Sequence, residues 1–395
     1  MKKIQTWVIG FISLQLLALT LVTPVQAKTG LQRFSQLKNA GLLVLNADGS
    51  SRIARRVDHA FIPASTTKLV TAWLALSRWG EGHRFKTNFY WAPQTRTLTI
   101  KGSGDPFLVS EEIKLIAYQL KQRGIREVDT LVLDNSFFQS NMIMPGTGKT
   151  NNPYDAVPSA LSANFNTVYV KKVRGKIRSA EPQTPLTPYA RKMAKRFRKG
   201  KLRVNTGRNP RDAEQYFAEV FLAIMKSENA KIVAGKIPNQ PPFYVHTNSK
   251  TVGEMIRPML KYSTNFIANQ LILKMSAEEY GRPANPADVS KYMHEKISQE
   301  FGWNHFVFKD GAGLSRSNRI SPYQLVELLQ QFRQWKHLLP EIEKGVFAKS
   351  GTLNKVSTLA GFINKNGQLL PFALMMNQSA PYKLRNKIAR ELAKS

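Results

Sequence analysis

Apolar residues recur along this chain in two rhythms, and each predicts its own kind of element. Short runs or alternations predict strands at 41–46, 87–90, 97–100, 130–134, 166–172, 232–237 and 243–246. Ile53 and Val57 mark a weaker strand among arginines. Three closely spaced runs at 346–349, 356–363 and 370–377 suggest an antiparallel meander near the end. Helical spacing appears after Ser65 (Leu69, Val70, Ala72, Trp73, Leu74, Leu76), and in 213–225, where Phe217, Val220, Phe221 and Ile224 share a face. Further helices are predicted at 31–38, from a Ser110 cap to Leu120, as one or two helices over 251–275, after Ser321-Pro322, and from about Tyr382 onward. Gly and polar clusters at 102–106, 151–158 and 310–316 separate these elements, the last reading as a flexible, polar loop. Two antiparallel strands feeding a buried helix make an α+β start.

Residues 1–27 break the pattern. Lys2 and Lys3 precede a largely apolar run from Trp7 to Val22, and Val25-Gln26-Ala27 offers small residues for cleavage. This is the layout of an export signal peptide, with Lys28 as the expected mature N-terminus and the periplasm as the expected compartment. The chain has no cysteine, so disulfides and thiolate metal sites are excluded, and its six histidines show no ligand spacing. No metal or cofactor is therefore expected.

Charge is lopsided: 58 Lys+Arg against 26 Asp+Glu give a formal net charge of +32. Thirteen of these cations crowd residues 171–204, where Glu181 is the sole acid. In an exported protein such a field suits an anionic wall polymer or membrane surface better than nucleic acid; a merely solvated loop and helix face is the competing reading.

Three short stretches carry candidate chemistry. Ser65 and Lys68, three apart, share one face of the predicted helix. Either Ser65 caps that helix, or it is a nucleophile whose neighbouring lysine, held in apolar surroundings, sheds its proton and acts as the base. Ser263-Thr264-Asn265 interrupts an apolar helical region; it is a helix cap, or else Ser263 relays a proton to a leaving amine while Asn265 clamps a substrate amide. Lys349-Ser350-Gly351-Thr352 ends a predicted strand. There Lys349 can hold a carboxylate and lower the pKa of Lys68, and Gly351 admits substrate close to the backbone. The N–H groups of Thr352 and Ser65 can form an oxyanion hole.

Ser-x-x-Lys, Ser-x-Asn and Lys-Ser-Gly in this order resemble the signature of penicillin-binding proteins and β-lactamases. With Asp310-Gly-Ala-Gly-Leu-Ser-Arg316 between the last two, and Asp105-Pro106 through Phe137, the resemblance narrows to class C low-molecular-mass penicillin-binding proteins, D-alanyl-D-alanine carboxypeptidases/endopeptidases. It implies a penicillin-binding/β-lactamase-like transpeptidase domain, an antiparallel sheet flanked by helices, formed by 28–84 and 246–395 around an inserted α/β region at 85–245. It also implies a serine hydrolase acting on peptidoglycan stem peptides and crosslinks through an acyl-enzyme on Ser65. β-Lactam antibiotics would be covalent inhibitors, and Arg316 would meet a substrate carboxylate. Ser350 stands where the family usually has threonine, and the insertion is short for this branch. A β-lactamase, and a non-catalytic wall-binding protein using the basic face, are the alternatives.

Overall fold

The computed structural model describes residues 28–195 and 199–394. The expected signal peptide, and Arg196 and Arg198 of the basic segment, lie outside the described residues. No helix among the described residues is long and apolar enough to cross a membrane.

The predicted meander is present and is the middle of a larger sheet. Six strands run in the order Glu341–Glu343, Val346–Leu353, Val356–Lys365, Gln368–Met376, Ala40–Leu45 and Ser51–Arg55, each antiparallel to its neighbours. The two ends of the chain thus share one sheet, with Ala40 opposite Met376. Side chains alternate across a strand, and here both faces are covered, which is why 40–45 is apolar without interruption. Leu43, Ala360, Phe362, Ala373 and Met375 face a core built on the helices Thr67–Trp79, Val252–Tyr262, Asn265–Tyr280 and Pro322–Phe332. Leu42, Val44, Leu359, Leu374 and Met376 face the other way, against Phe34, Leu384, Ile388 and Leu392 of the short first helix, Gly30–Ser35, and the terminal one, Leu384–Lys394.

Between these halves lie two further sheets. One has five strands, in the order Tyr244–Thr247, Lys86–Ala92, Thr97–Lys101, Thr130–Asp134 and Lys231–Ala234; its first two pairings are antiparallel and its last two parallel. The parallel pairs require crossovers, and the helices Ser110–Gln122 and Pro210–Met225 provide them, burying Ile113, Ile116, Leu120, Phe217, Val220 and Phe221 with Leu98 and Leu131. The other sheet is antiparallel, in the order Lys176–Ser179, Thr167–Val173 and Gly200–Asn205.

Three local expectations change, and one is narrowed. The basic segment is a β-hairpin, a helix (Pro188–Ala194) and a strand rather than a loop and helix face. Ser110 does not cap its helix; the cap position is Val109, and the buried Ser110 hydroxyl bonds Thr184 Oγ1 (2.8 Å) and Asn164 instead. Of the one or two helices expected over 251–275 there are two, broken at Ser263. The 310–316 loop is not a flexible polar excursion: Asp310, Gly311, Ala312 and Gly313 are all buried.

Candidate active site

The turn that delivers Ser65 is wedged between the sheet and the 310–318 loop. Ala64–Thr66 is a single 3₁₀ turn leading into the helix Thr67–Trp79. Ala64 holds φ at 49°, a left-handed value that L-residues avoid and that persists only where surroundings enforce it. The enforcement is visible on both sides. Thr358 Oγ1 donates to the Pro63 carbonyl at 2.7 Å, and the Thr67 hydroxyl donates to the Ala64 carbonyl at 2.9 Å. Gly313, with φ 81°, lies so close that a Cβ there would sit 1.8 Å from the Ala64 oxygen. Gly351 is equally constrained, since a Cβ would come within 2.8 Å of Ser65 N and 2.3 Å of Thr358 Oγ1. Only glycine lets the strand pass this close to the Ser65 amide.

Lys68 is fully buried, and its ammonium nitrogen has three neighbours: Asn265 Oδ1 at 2.7 Å, the Ala312 carbonyl at 2.7 Å and Ser65 Oγ at 3.1 Å. Burial, and then the nearby charge of Lys349, hold its pKa well below the ordinary lysine range, with Asp310 pulling weakly the other way. The Asp310 carboxylate is itself consumed in shaping the loop: it accepts from the N–H groups of Ala312, Leu314 and Ser315 and from Asn318 Nδ2, between 2.8 and 3.1 Å. Gly311 is pinned from both ends by Thr71 Oγ1 (2.7 Å) and Asn269 Oδ1 (3.1 Å). These bonds aim the Ala312 carbonyl at Lys68.

Ser263 and Asn265 arrive on the junction of two helices. The first ends with Ser263 in the left-handed conformation (φ 59°), a position glycine usually fills. Ser263 is half-buried, and its hydroxyl makes no hydrogen bond among the described residues. Asn265 opens the second helix, and both ends of its amide are engaged: Oδ1 by Lys68 and Nδ2 by the Tyr154 carbonyl at 3.0 Å. Tyr154 belongs to the turn-rich crossing at 151–158, so the inserted region contributes directly to the site. A cleft of about 730 Å³ opens beside Asn265, lined by Phe107, Tyr154, Phe165, Arg203, Tyr262 and Phe266 among others.

Lys349 is 1% exposed and donates to the Ser350 carbonyl at 2.6 Å. Burial and the Arg385 guanidinium push its pKa down to about 7. Ser350 is half-buried, whereas Thr352 is exposed, with its hydroxyl accepting from Arg385 at 2.7 Å. Arg316 is exposed and donates to the Asn354 carbonyl at 3.0 Å, in a basin it shares with His59, Ile62, Arg319 and Asn377. The structure thus joins Ser65, Lys68 and Asn265 by direct hydrogen bonds, sets Gly351 against Ser65, and places Arg316 beyond the strand's end. Sequence reasoning missed Asn269, Thr358, Tyr154 and Arg385, and misread Asp310. For the last, two glycines flanking Ala312 were the available signal of a tightly packed turn.

Residues 28–200 and 197–343 match the D-Ala-D-Ala carboxypeptidase 3 (S13) family. The D-alanyl-D-alanine carboxypeptidase DacB of Haemophilus influenzae is 23% identical over 91% of this chain and 89% of its own length. A D-alanyl-D-alanine carboxypeptidase of Actinomadura sp. is 24% identical over 90% of this chain and 81% of its own. The crystal structure of penicillin binding protein 4 from Haemophilus influenzae superposes with a TM-score of 0.73 at 22% identity, covering 92% of this chain and 98% of that one. The penicillin-binding fold read from three short motifs is therefore present across nearly the whole chain, and the protein belongs to the D-Ala-D-Ala carboxypeptidase 3 (S13) family.

Proposed function

We propose that Ser65 is the nucleophile and Lys68 its base in a serine-type D-alanyl-D-alanine carboxypeptidase/endopeptidase acting on peptidoglycan stem peptides and their crosslinks. The observation that carries this reading is the set of neighbours around Lys68. A neutral amine has two N–H bonds and one lone pair. The Asn265 Oδ1 and Ala312 carbonyl oxygens can only accept, so they take the two N–H bonds and leave the lone pair facing the Ser65 hydroxyl. Burial favours that neutral form.

Ser65 Oγ attacks the carbonyl of a D-alanyl amide while its proton passes to Lys68 Nζ. The oxyanion is received by the Ser65 N–H, which has no acceptor among the described residues, and by the Thr352 N–H across Gly351. Collapse breaks the C–N bond. The departing amine takes up a proton from Lys68 by way of the unengaged Ser263 hydroxyl, leaving an ester on Ser65. Water then attacks that ester, gives its proton to Lys68, and the second collapse returns a proton to Ser65. Asn265 positions the base through Oδ1 and offers the substrate the second N–H of Nδ2, the one not given to Tyr154, while Lys349, Ser350 and Gly351 bound the opposite wall. Arg316 sits where a longer stem peptide would pass. β-Lactams, which present a strained amide to the same serine, would acylate Ser65 and remain. We place this activity in the periplasm, after removal of residues 1–27, with 28–84 and 246–395 as the catalytic domain and 85–245 as the insertion. The basic face would attract an anionic wall polymer.

Incubating purified protein with a fluorescent penicillin and with a peptide ending in D-alanyl-D-alanine tests this. Stable label and released D-alanine, both abolished by Ser65→Ala, are expected. Label retained in Ser65→Ala would place the nucleophile elsewhere, and rapid release of label would point to a β-lactamase.

A further inference from the structure

A second cleft lies at the edge of the insertion, and none of its lining residues belongs to the one beside Asn265. The strands Thr97–Lys101, Thr130–Asp134 and Lys231–Ala234 are parallel, so their carboxyl ends finish together, with Lys101 opposite Asp134 and Leu133 opposite Ala234. Open α/β sheets hold ligands in the crevice outside such ends. A cleft of about 500 Å³ opens there, within the size range of small-ligand sites. Its walls are firmly held. The Asp134 carboxylate accepts from the N–H groups of Ser136 and Ile237, each at 3.0 Å, and the Gln139 N–H donates to the Ala284 carbonyl at 2.9 Å.

The lining carries hydrogen-bonding capacity that the fold leaves unspent. Ser159 is 3% exposed, and its hydroxyl makes no hydrogen bond among the described residues; nor does Asn135 Oδ1. Buried polar atoms without partners are costly to hold, and in a cleft wall they mark where a bound group would supply them. Glu214 also lines the cleft. It takes a hydrogen bond from Asn135, and burial raises its carboxyl above the ordinary range despite the neighbouring Arg211. A carboxyl drawn toward its neutral form can donate as well as accept. Two acids, Asp134 and Glu214, and two cations, Arg211 and Lys236, share the lining, which favours neither a free anion nor a free cation. Phe138, Pro158, Pro210 and Pro283 supply apolar surface.

An uncharged ring with apolar faces and with hydroxyl and acetamide edges meets all of these demands. We propose that this cleft binds an N-acetylated amino sugar of the peptidoglycan glycan strand, its ring faces against the proline and Phe138 surfaces and its N–H or O–H groups given to Asn135 Oδ1 and Ser159. This deepens the functional reading above and rests on it for the choice of glycan. The location suits it. Ser159 lies five residues beyond Tyr154, whose carbonyl meets Asn265, and the Ser159 carbonyl accepts at 2.6 Å from Gln270 on the same helix as Asn265. One segment therefore borders both the sugar cleft and the reactive site.

The test measures, by calorimetry, binding of tri-N-acetylchitotriose, an uncharged probe, to the parent, Asn135→Leu and Glu214→Leu. Maltotriose, which has the hydroxyls but no acetamide, is the comparison. The parent should bind the acetylated sugar more tightly than maltotriose, and equally at low salt and near 1 M. Each variant should bind it about 3- to 10-fold more weakly, the effect of one lost hydrogen bond. An unchanged circular dichroism spectrum and unchanged turnover of diacetyl-L-lysyl-D-alanyl-D-alanine would show that the variants are folded. Competition tests the source: a peptidoglycan disaccharide-tripeptide should displace the probe, and the free tripeptide should not. A parent that does not bind the probe, or variants that bind it equally well, would overturn the proposal. A disaccharide-tripeptide that fails to displace the probe would overturn the assignment to peptidoglycan. A parent that binds the sugar but releases no D-alanine would bring down the functional reading alone, and the cleft would stand as a sugar site.

Discussion

Lysines do opposite things in the cleft and on the three-stranded sheet of the insertion. Lys68 and Lys349 are buried, within reach of each other's charge, and burial strips both of their usual preference for the proton. Lys176, Arg178 and Lys201 stand exposed on the sheet Lys176–Ser179, Thr167–Val173 and Gly200–Asn205, in a segment whose one acid, Glu181, is already paired with Arg203. On the functional reading proposed above, the same residue type serves as a base where water is excluded and as a long-range attractor where it is not. Surroundings, not charge count, decide the chemistry.

The largest expected effect comes from removing the base while keeping the charge. Lys68→Arg should lower acylation by penicillin by about 10³-fold or more at every pH, since arginine cannot give up its proton. An arginine variant acylating near the parent rate would erase the contrast between the two regions.

A middle-sized effect concerns stability. In the unfolded chain a lysine keeps its proton to about pH 10.4, whereas folded Lys349 releases it at about 7 and Lys68 well below its ordinary range. Across that window the unfolded state binds more protons, so stability rises with pH, by up to about 1.4 kcal/mol per pH unit for each lysine. The window closes near pH 10, where the unfolded lysines lose their own protons; above it stability falls, because buried Tyr216 and Tyr292 keep their protons to about 12 in the fold. Urea unfolding of the parent and of Lys349→Met at pH 7 and pH 9 checks this: the variant should show the shallower rise, and parallel profiles would mean that Lys349 stays charged in the fold.

The smallest effect belongs to the exposed set. Replacing Arg174, Lys176, Arg178 and Lys201 by glutamine should weaken sedimentation with wall sacculi at low salt, yet leave it unchanged near 1 M, where the screening length is about 3 Å. Turnover of a short peptide should not change. Superimposable binding curves across the salt series would reduce the basic face to a solvated surface.

What the sequence revealed follows from the same contrast. That Ser65, Lys68 and Asn265 would come together was legible because side-chain chemistry at short spacing leaves a trace, and the meander was legible because both faces of its strands are buried. The groups that surround Lys68, Asn265 and Lys349 left almost none. The carbonyls of Ala312 and Tyr154 are backbone atoms that any residue supplies. Arg385 is one cation among 58 and gains meaning only from its contact with Gly351 and Thr352. Ser110 followed by Glu111 and Glu112 imitates a helix cap, but Asn164 and Thr184, distant in sequence, claim its hydroxyl.

The account stands on a neutral Lys68 at the pH where the enzyme works, and that can be observed directly. Protein carrying ¹³C at the lysine ε-carbons, titrated by NMR with Lys68→Arg to assign the resonance, should show Lys68 changing protonation well below the ordinary lysine value of about 10.4. A Lys68 resonance that titrates with the exposed lysines would contradict the assignment of this residue as the base.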